Sequence, residues 1–319
     1  MKNIYSNIIK FNSKNLIKII KILKKNGIIG LPTETVYGLA GNAYSNSAIK
    51  KIFKIKKRLK KNPLIVHYYN LNHAKKDVLL DKKFYKIYKK FSPGPITYIV
   101  KKKKDSKIKP LACANLKTVG IRFPKNKIIR GLLKKLEFPL AMPSANKSSG
   151  VSPVKPLDVF EEFKNKIKVI DGGISKIGIE STVLNLVGKV CILRPGIITP
   201  KQIENVLKIK LKVSEKQRII KSPGSFKKHY SPGIPIYLYK NKCPNKYAFI
   251  TFGNKYPVTR NSFNLSRKSN LNEAARNLYK FFRIIKKRGF KKIYVSKIPN
   301  FGIGIAINDR LKRASKQWN

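Results

Sequence analysis

Between residues 27 and 196 the chain is punctuated so often that long helices have little room. Eight segments of five to seven residues, GIIGL, PLIVHYY, ITYIVKK, TVGIRFP, FPLAMPS, KVIDGG, STVLNLV and VCILRPG, follow one another, most of them bounded by Gly, Pro or Ser. A short β-rich run closed by such residues reads as a strand, because the closing residues favour turn backbone over continued helix. Helical periodicity breaks in at few places. NSAIKKIFKIKK and NKIIRGLLKKL are amphipathic, and NLIKIIKILKK puts Leu16, Ile19, Ile20 and Leu23 on one face with lysines between. Many strands with few intervening helices imply an α/β domain built on a twisted, mixed sheet rather than a regular βαβ series.

Residues 210–234 change character. This stretch has little periodicity and two Pro-Gly breaks, Pro223-Gly224 and Pro232-Gly233, and reads as a linker. His229 and Tyr230 sit between the two breaks, an aromatic pair for which a pure spacer has no use, so the segment is expected to fold over the first domain as a lid. Beyond it PIYLY, YAFITFG and KKIYVSKI are strands, and LNEAARNLYKFFRIIKKRG and GIAINDRLKRAS are helices. The expected organisation is a catalytic domain over 1–209, a linker or lid over 210–234 and a small Rossmann-like α/β domain over 235–319. No GxGxxG is present, so no dinucleotide is assigned to that last unit.

The formal charge of +58 points at first sight to a polyanion partner. Lysine supplies 60 of the 72 basic residues and arginine 12; lysines spread along the whole chain fit a compositional bias from an AT-rich genome. An RNA-facing surface is the competing reading. The bias makes each arginine informative, since only arginine offers a planar fork for phosphate or carboxylate. The first 209 residues hold four: Arg58, Arg122, Arg130 and Arg194. Cys113, Cys191 and Cys243 form no CxxC pair, which fits a reducing cytoplasm, and no run of 18 apolar residues is present to span a membrane.

Polar residues gather where the strands end, the place where α/β sheets build ligand sites. PTET spans 32–35. Lys56, Arg58 and Asn62 precede the strand that ends in His67. Thr118 and Arg122 lie in TVGIRFP; Ser144, Asn146 and Ser152 share the loop PSANKSSGVSP; Ser181 follows Glu180 in GIEST; Arg194 closes LRPG. Three arginines, a lysine and several hydroxyls and amides are equipment for holding phosphate. No nucleophile elbow, metal-ligand cluster, reactive-looking cysteine or Walker A motif accompanies them. Such a site works by positioning and charge stabilisation. His67 reads equally as a core histidine or a ligand contact, His73 as a surface residue and Arg130 as a solvated charge on its helix.

Taken in order, LPTETVYGLAGNA, K-x-R-x-x-x-NPLIVH, SPGPIT, TVGIRFP, PSAN-x-SG-x-SP, DGG…GIEST and LRPG resemble the threonylcarbamoyl-AMP synthase family, with its YrdC-like fold, over nearly all of residues 14–209. SPGSFKKHYSP and GIGIAINDRLKRAS resemble its longer, two-domain branch. The resemblance implies an enzyme that joins L-threonine, bicarbonate or CO2, and ATP into threonylcarbamoyl-AMP and pyrophosphate, in the cytoplasm, with Mg2+ accompanying ATP. It further implies a transferase complex that passes the threonylcarbamoyl group to tRNAs reading ANN codons. Thr35, His67, Arg122 and Ser181 would then face threonine. Lys56, Arg58, Asn62, Thr118, Ser144, Asn146, Ser152 and Arg194 would surround ATP, with Tyr230 reaching in from the linker.

Two departures from the family pattern stand in the K-x-R segment: Lys57 replaces the commoner glycine and Leu59 the usual proline. Another is Met142-Pro143 before Ser144, where a further hydroxyl is common. No residue announces itself as a general base, and Glu34, set between two threonines, reads as an organiser of its loop. The alternatives are a carbamoyltransferase that forms a carbamoyl adenylate, whose usual zinc-finger motifs are missing here, and a non-catalytic module for double-stranded RNA or tRNA, or weak nonspecific RNA binding beside catalysis.

Overall fold

A computed structural model of the chain describes residues 7–213 and 229–316. Twelve strands make one sheet. Its order runs Ile8–Lys10, Val169–Asp171, Ile29–Leu31, Gly38–Asn42, Leu140–Ala141, Ile65–His67, Thr118–Arg122, Ile96–Lys102, Thr182–Asn185, Cys191–Arg194, Lys212–Val213, with Val78–Leu79 added beside Ile96–Lys102. Parallel pairs such as Ile65–His67 with Thr118–Arg122 alternate with antiparallel ones such as Ile96–Lys102 with Thr118–Arg122, so the sheet is mixed, as the strand-rich sequence implied. Helices are more numerous than the sequence reading finds. Lys82–Phe91, Pro156–Phe163 and Pro200–Leu207 are only 10, 8 and 8 residues long, too short for a clear period, yet Phe84 and Ile87, Val159 and Phe163, and Ile203 are buried from them.

Local chemistry places the residues that matter. The helix Asn46–Lys56 starts where the Ser45 side chain accepts a hydrogen bond from the Ala48 N–H, and packs Ile49, Ile52 and Phe53 inward. It ends on Lys57 in the left-handed conformation at φ 49°, which delivers Lys56 and Arg58 on either side of a sharp turn. A glycine at this position would suit that backbone, and lysine tolerates it at a cost. Gly38 lies under Met142, and a Cβ there would come within 2.4 Å of Met142 Cγ, so no larger residue fits between the strand and the 142–144 segment.

A second, four-stranded sheet is all parallel, in the order Ile236–Tyr237, Ile293–Val295, Ala248–Thr251, Ser262–Asn264. The strand Ser262–Asn264 has no clear signal in the sequence. Helices Leu271–Lys287 and Gly304–Ser315 cover the sheet, and this half buries its apolar residues together with Val36, Val151, Val154 and Ile179 of the first half. The two halves are packed face to face: a Cβ on Gly178 would lie 2.5 Å from the Arg276 Cα. Of the expected linker, residues 214–228 lie outside the described residues. Its end is docked, for the Ser231 N–H donates to the Ser149 carbonyl at 2.9 Å.

Candidate active site

His67 and Arg122 are register partners at the carboxyl ends of two parallel strands. Opposite them the loop from Pro32 to Tyr37 joins two antiparallel strands, and Ser181 and Arg194 stand at the near ends of two more. These elements enclose a cavity of about 50 Å³, lined among others by Thr33, Thr35, Arg58, His67, Arg122, Ser144, Glu180, Ser181, Arg194, His229 and Tyr230. Eight of the residues singled out from the sequence therefore meet in one place.

One wall is a chain of directed hydrogen bonds. The Thr33 hydroxyl donates to the Val36 carbonyl at 2.6 Å, so it accepts from the Thr35 hydroxyl at 2.8 Å. Arg122 Nη1 donates to the same Thr35 oxygen at 2.9 Å. With its proton committed, Thr35 can only accept from a ligand, which suits an ammonium or hydroxyl donor. Arg122 Nη2 donates to Glu34 Oε1 at 2.6 Å, while Glu34 Oε2 accepts from the N–H groups of Lys125 and Asn126 at 3.1 and 3.2 Å. Burial by itself would raise the Glu34 carboxyl; the Arg122 charge and these hydrogen bonds bring it below its ordinary value. Glu34 is saturated, and it orders the loop rather than taking protons. His67 Nδ1 lies 3.2 Å from the Ile65 carbonyl, so Nδ1 carries the proton. Burial and then the Arg122 charge push its pKa down to about 3, leaving a neutral imidazole at physiological pH.

The facing wall is cationic. Arg58 is held by Nε to the Asn62 carbonyl at 2.9 Å and by Nη2 to Asn62 Oδ1 at 2.6 Å and to the Pro63 carbonyl at 2.8 Å. Arg194 donates from Nε to the Ser181 carbonyl and from Nη2 to Ser181 Oγ, both at 3.0 Å. Among the described residues neither arginine has a carboxylate within ion-pair distance. Burial lowers the Arg58 guanidinium to about 9 in pKa terms, with Arg194 adding to the effect against Tyr230; guanidinium stays charged regardless. Two unpaired cations held on one cavity are a standing invitation to an anion.

Five of the residues expected at the site do not line the cavity. Lys56 is 1% exposed, with Nζ donating to the carbonyls of Ser144, at 2.6 Å, and Asn146, so it ties the 144–146 loop down from behind. Asn62 serves Arg58. Asn146 donates to the Lys147 and Gly150 carbonyls, at 2.6 and 2.9 Å, and Ser152 Oγ to Glu180 Oε1 at 2.5 Å. Thr118 is not brought to the site. It begins the strand that Arg122 ends, about 13 Å away at 3.3 Å per residue, and lines a different depression with Lys101–Lys104 and Lys117. Arg130 is no free surface charge: Nη1 donates to the Tyr69 carbonyl at 3.2 Å and the guanidinium sits 4.7 Å over the Tyr69 ring. His229 and Tyr230 close the cavity on the linker side. Tyr230 is buried in a left-handed conformation at φ 65°, its ring stacked 6.1 Å from Tyr279. The sequence reading missed Thr33, Glu180, Arg310 and Thr97, whose hydroxyl lies 2.8 Å from Ser181 Oγ. Glu180 and Arg310 left a signal in their rarity, in a chain of 14 acidic residues and 12 arginines.

No helix among the described residues is long and apolar enough to cross a membrane, and no cluster of three or more His, Cys, Asp or Glu that could hold a metal occurs among them. The family model described as telomere recombination, which unites Sua5, YciO and YrdC, matches residues 21–196, and the model for the threonylcarbamoyl-AMP synthase C-terminal domain matches 198–316. A threonylcarbamoyl-AMP synthase of Bacillus subtilis is 31% identical over 95% of this chain and 94% of its own; one of Pyrococcus abyssi is 32% identical over 92% of each. The crystal structure of P. abyssi Sua5 complexed with L-threonine superposes with a TM-score of 0.89 at 28% identity, over 97% of both chains. With both domain models matched in sequence and the relatives covered nearly end to end, the chain belongs to the two-domain threonylcarbamoyl-AMP synthase family.

Proposed function

We propose that this chain makes threonylcarbamoyl-AMP and pyrophosphate from L-threonine, bicarbonate or CO2, and ATP. The observation that carries the proposal is the division of one cavity into a hydroxyl-lined wall and a wall of two unpaired arginines. Threonine belongs on the first wall. Thr35 accepts from its donors, with Arg122 and the neutral imidazole of His67 alongside. A histidine this hard to protonate orients the amine rather than removing its proton, so alignment of amine, carbon dioxide equivalent and α-phosphate carries the acceleration. Arg58 and Arg194 meet the phosphates, and Ser144 sits beside them; Lys56, Asn62, Asn146 and Ser152 act by holding those groups in place. The chemistry that Mg2+ supplies is charge neutralisation on the ATP phosphates, and it arrives as part of that substrate: Glu180, the cavity's carboxylate, is already fully bonded.

A cavity of about 50 Å³ is far below the ~300 Å³ and upward of ordinary ligand sites, so admitting ATP requires a wall to move. His229 and Tyr230, at the end of the 210–234 segment, are that wall in the lid reading, and closure behind the substrates would shield the carbamate from water. The product then goes to a transferase complex acting on tRNA in the cytoplasm. Pyrophosphate release from ATP tests the reading: it should require both threonine and bicarbonate. Release with carbamoyl phosphate in place of both would overturn it in favour of carbamoyl transfer.

A further inference from the structure

Glu180 stands in the cavity wall directly before Ser181, and its charge is answered from the other domain. Its carboxylate accepts from Ser152 Oγ, from the Tyr279 hydroxyl at 3.0 and 3.1 Å and from Arg310 Nε at 2.9 Å. Arg310 is fully buried in the helix Gly304–Ser315. Its Nη1 donates to the Pro195 carbonyl at 2.9 Å and to Asp309 Oδ2 at 2.8 Å, and its guanidinium lies 5.0 Å over the Tyr230 ring. One side chain thus touches the neighbour of Ser181, the neighbour of Arg194 and the linker tyrosine. The two backbone segments it bridges are themselves in tight contact, since a Cβ on Gly196 would fall 2.3 Å from the Thr182 nitrogen.

We infer that Arg310 is a positioning residue for the phosphate-binding arginine: by pairing with Glu180 it keeps that carboxylate from capturing Arg194, and so leaves Arg194 free to meet an anion. Arg194 already hydrogen-bonds Ser181, the residue next to Glu180, and it is close enough to Glu180 to be felt there. Burial alone would raise the Glu180 carboxyl; Arg310 first and Arg194 second hold it down at about 2. Remove Arg310 and a buried, charged carboxylate is left with one cation in reach. Arg194, which lines the same cavity, is the cation left to neutralise it, and a guanidinium paired with Glu180 is no longer free to meet an anion. Most of the threonine wall would be untouched, because Thr35, Arg122 and Glu34 are bonded among themselves on the far side, and only Ser181 would lose its Arg194 donor. The C-terminal domain, on this account, tunes nucleotide affinity through charge at a distance from any substrate atom.

This inference rests on Arg194 holding phosphate, and the test separates the two. Steady-state pyrophosphate release with the full chain is read for Arg194→Ala, Arg310→Met, Arg310→Lys and Glu180→Gln/Arg310→Met, with melting curves for each. Arg194→Ala should raise the KM for ATP about tenfold or more; an unchanged value refutes the phosphate reading itself. Arg310→Met should raise the KM for ATP comparably while the KM for threonine moves less than about threefold. Arg310→Lys, which keeps the charge, should recover most of the loss. The decisive arm is the double variant. Removing the Glu180 charge should restore ATP affinity although Arg310 is still absent, and by more than any recovery in melting temperature accounts for. Should Arg310→Met fail to fold, Arg310→Gln is read in its place, and the double variant stands regardless. Equal rises in both KM values, or no recovery in the double variant, would overturn the inference.

Discussion

Replacing Glu34 by glutamine removes one charge and little else, and its consequences can be worked from the contacts. Both members of the Arg122–Glu34 pair are nearly sealed, with side chains 5% and 9% exposed at a separation of 2.6 Å. Glutamine keeps one acceptor oxygen. That oxygen can serve Arg122 or the Lys125 and Asn126 N–H groups but not both, and the amide nitrogen then faces donors. Breaking a buried pair so that one charge stays behind costs about 3–5 kcal/mol. For a cooperative unit of this size each kcal/mol is worth roughly 2–4 °C, so the melting temperature should fall by roughly 6–20 °C. The measurement is a circular-dichroism melt of the full chain at neutral pH. The sign with pH also follows. The folded carboxyl of Glu34 lies below its ordinary value of 4.5, so its contribution is complete above that value and is lost as pH falls through the folded pKa. The two proteins should converge in acid. A Glu34→Gln protein that melts within about 2 °C of the parent at neutral pH would refute the organising role. So would a shifted pH profile of kcat, which would mark Glu34 as a base after all.

Arg58→Ala and Arg194→Ala should each lower kcat/KM for ATP at least ~10-fold, as loss of a charge-assisted phosphate contact does, in a steady-state pyrophosphate assay. Arg130→Ala, which gives up its hold on Tyr69, should lower the melting temperature while leaving kcat/KM near the parent's; equal losses at Arg58 and Arg130 would sink the assignment. Valine, isosteric with threonine but without its hydroxyl, should be a poor substrate by about 10²-fold or more, because Thr35 and Ser181 would face an apolar group. Comparable rates with valine would show that neither reads the side chain. Lys57→Gly should stabilise the protein by about 1 kcal/mol in a denaturant titration, because lysine there occupies left-handed backbone at φ 49°; a destabilised variant would mean the lysine side chain has a role of its own.

The strand-end clusters were legible because a β-strand fixes where its last residue stands: His67 and Arg122 close two neighbouring strands and arrive side by side. Thr118, of the same motif as Arg122, lines a different depression. Within TVGIRFP, Thr118 and Arg122 share a strand and a face, yet four residues of extended chain carry them to opposite ends. Nothing local distinguishes a side chain that touches ligand from one that braces such a side chain, and Lys56, Asn62, Asn146 and Ser152 are all braces by their contacts. Short lysine-rich helices are quiet in a chain so rich in lysine. The Glu180–Arg310 pair joins residues 130 apart across a domain boundary, a separation over which periodicity carries no information. Rarity does carry some: in a chain with 14 acids and 12 arginines among 60 lysines, Glu34, Glu180 and Arg310 were worth asking about for that alone.

The most direct test supplies the full chain with ATP, Mg2+, L-threonine and ¹³C-bicarbonate and identifies the nucleotide product by mass spectrometry. One new adenylate that contains threonine and a single labelled carbon should form together with pyrophosphate and be absent when threonine is withheld. An unlabelled adenylate, or AMP release indifferent to threonine, would contradict the proposed function.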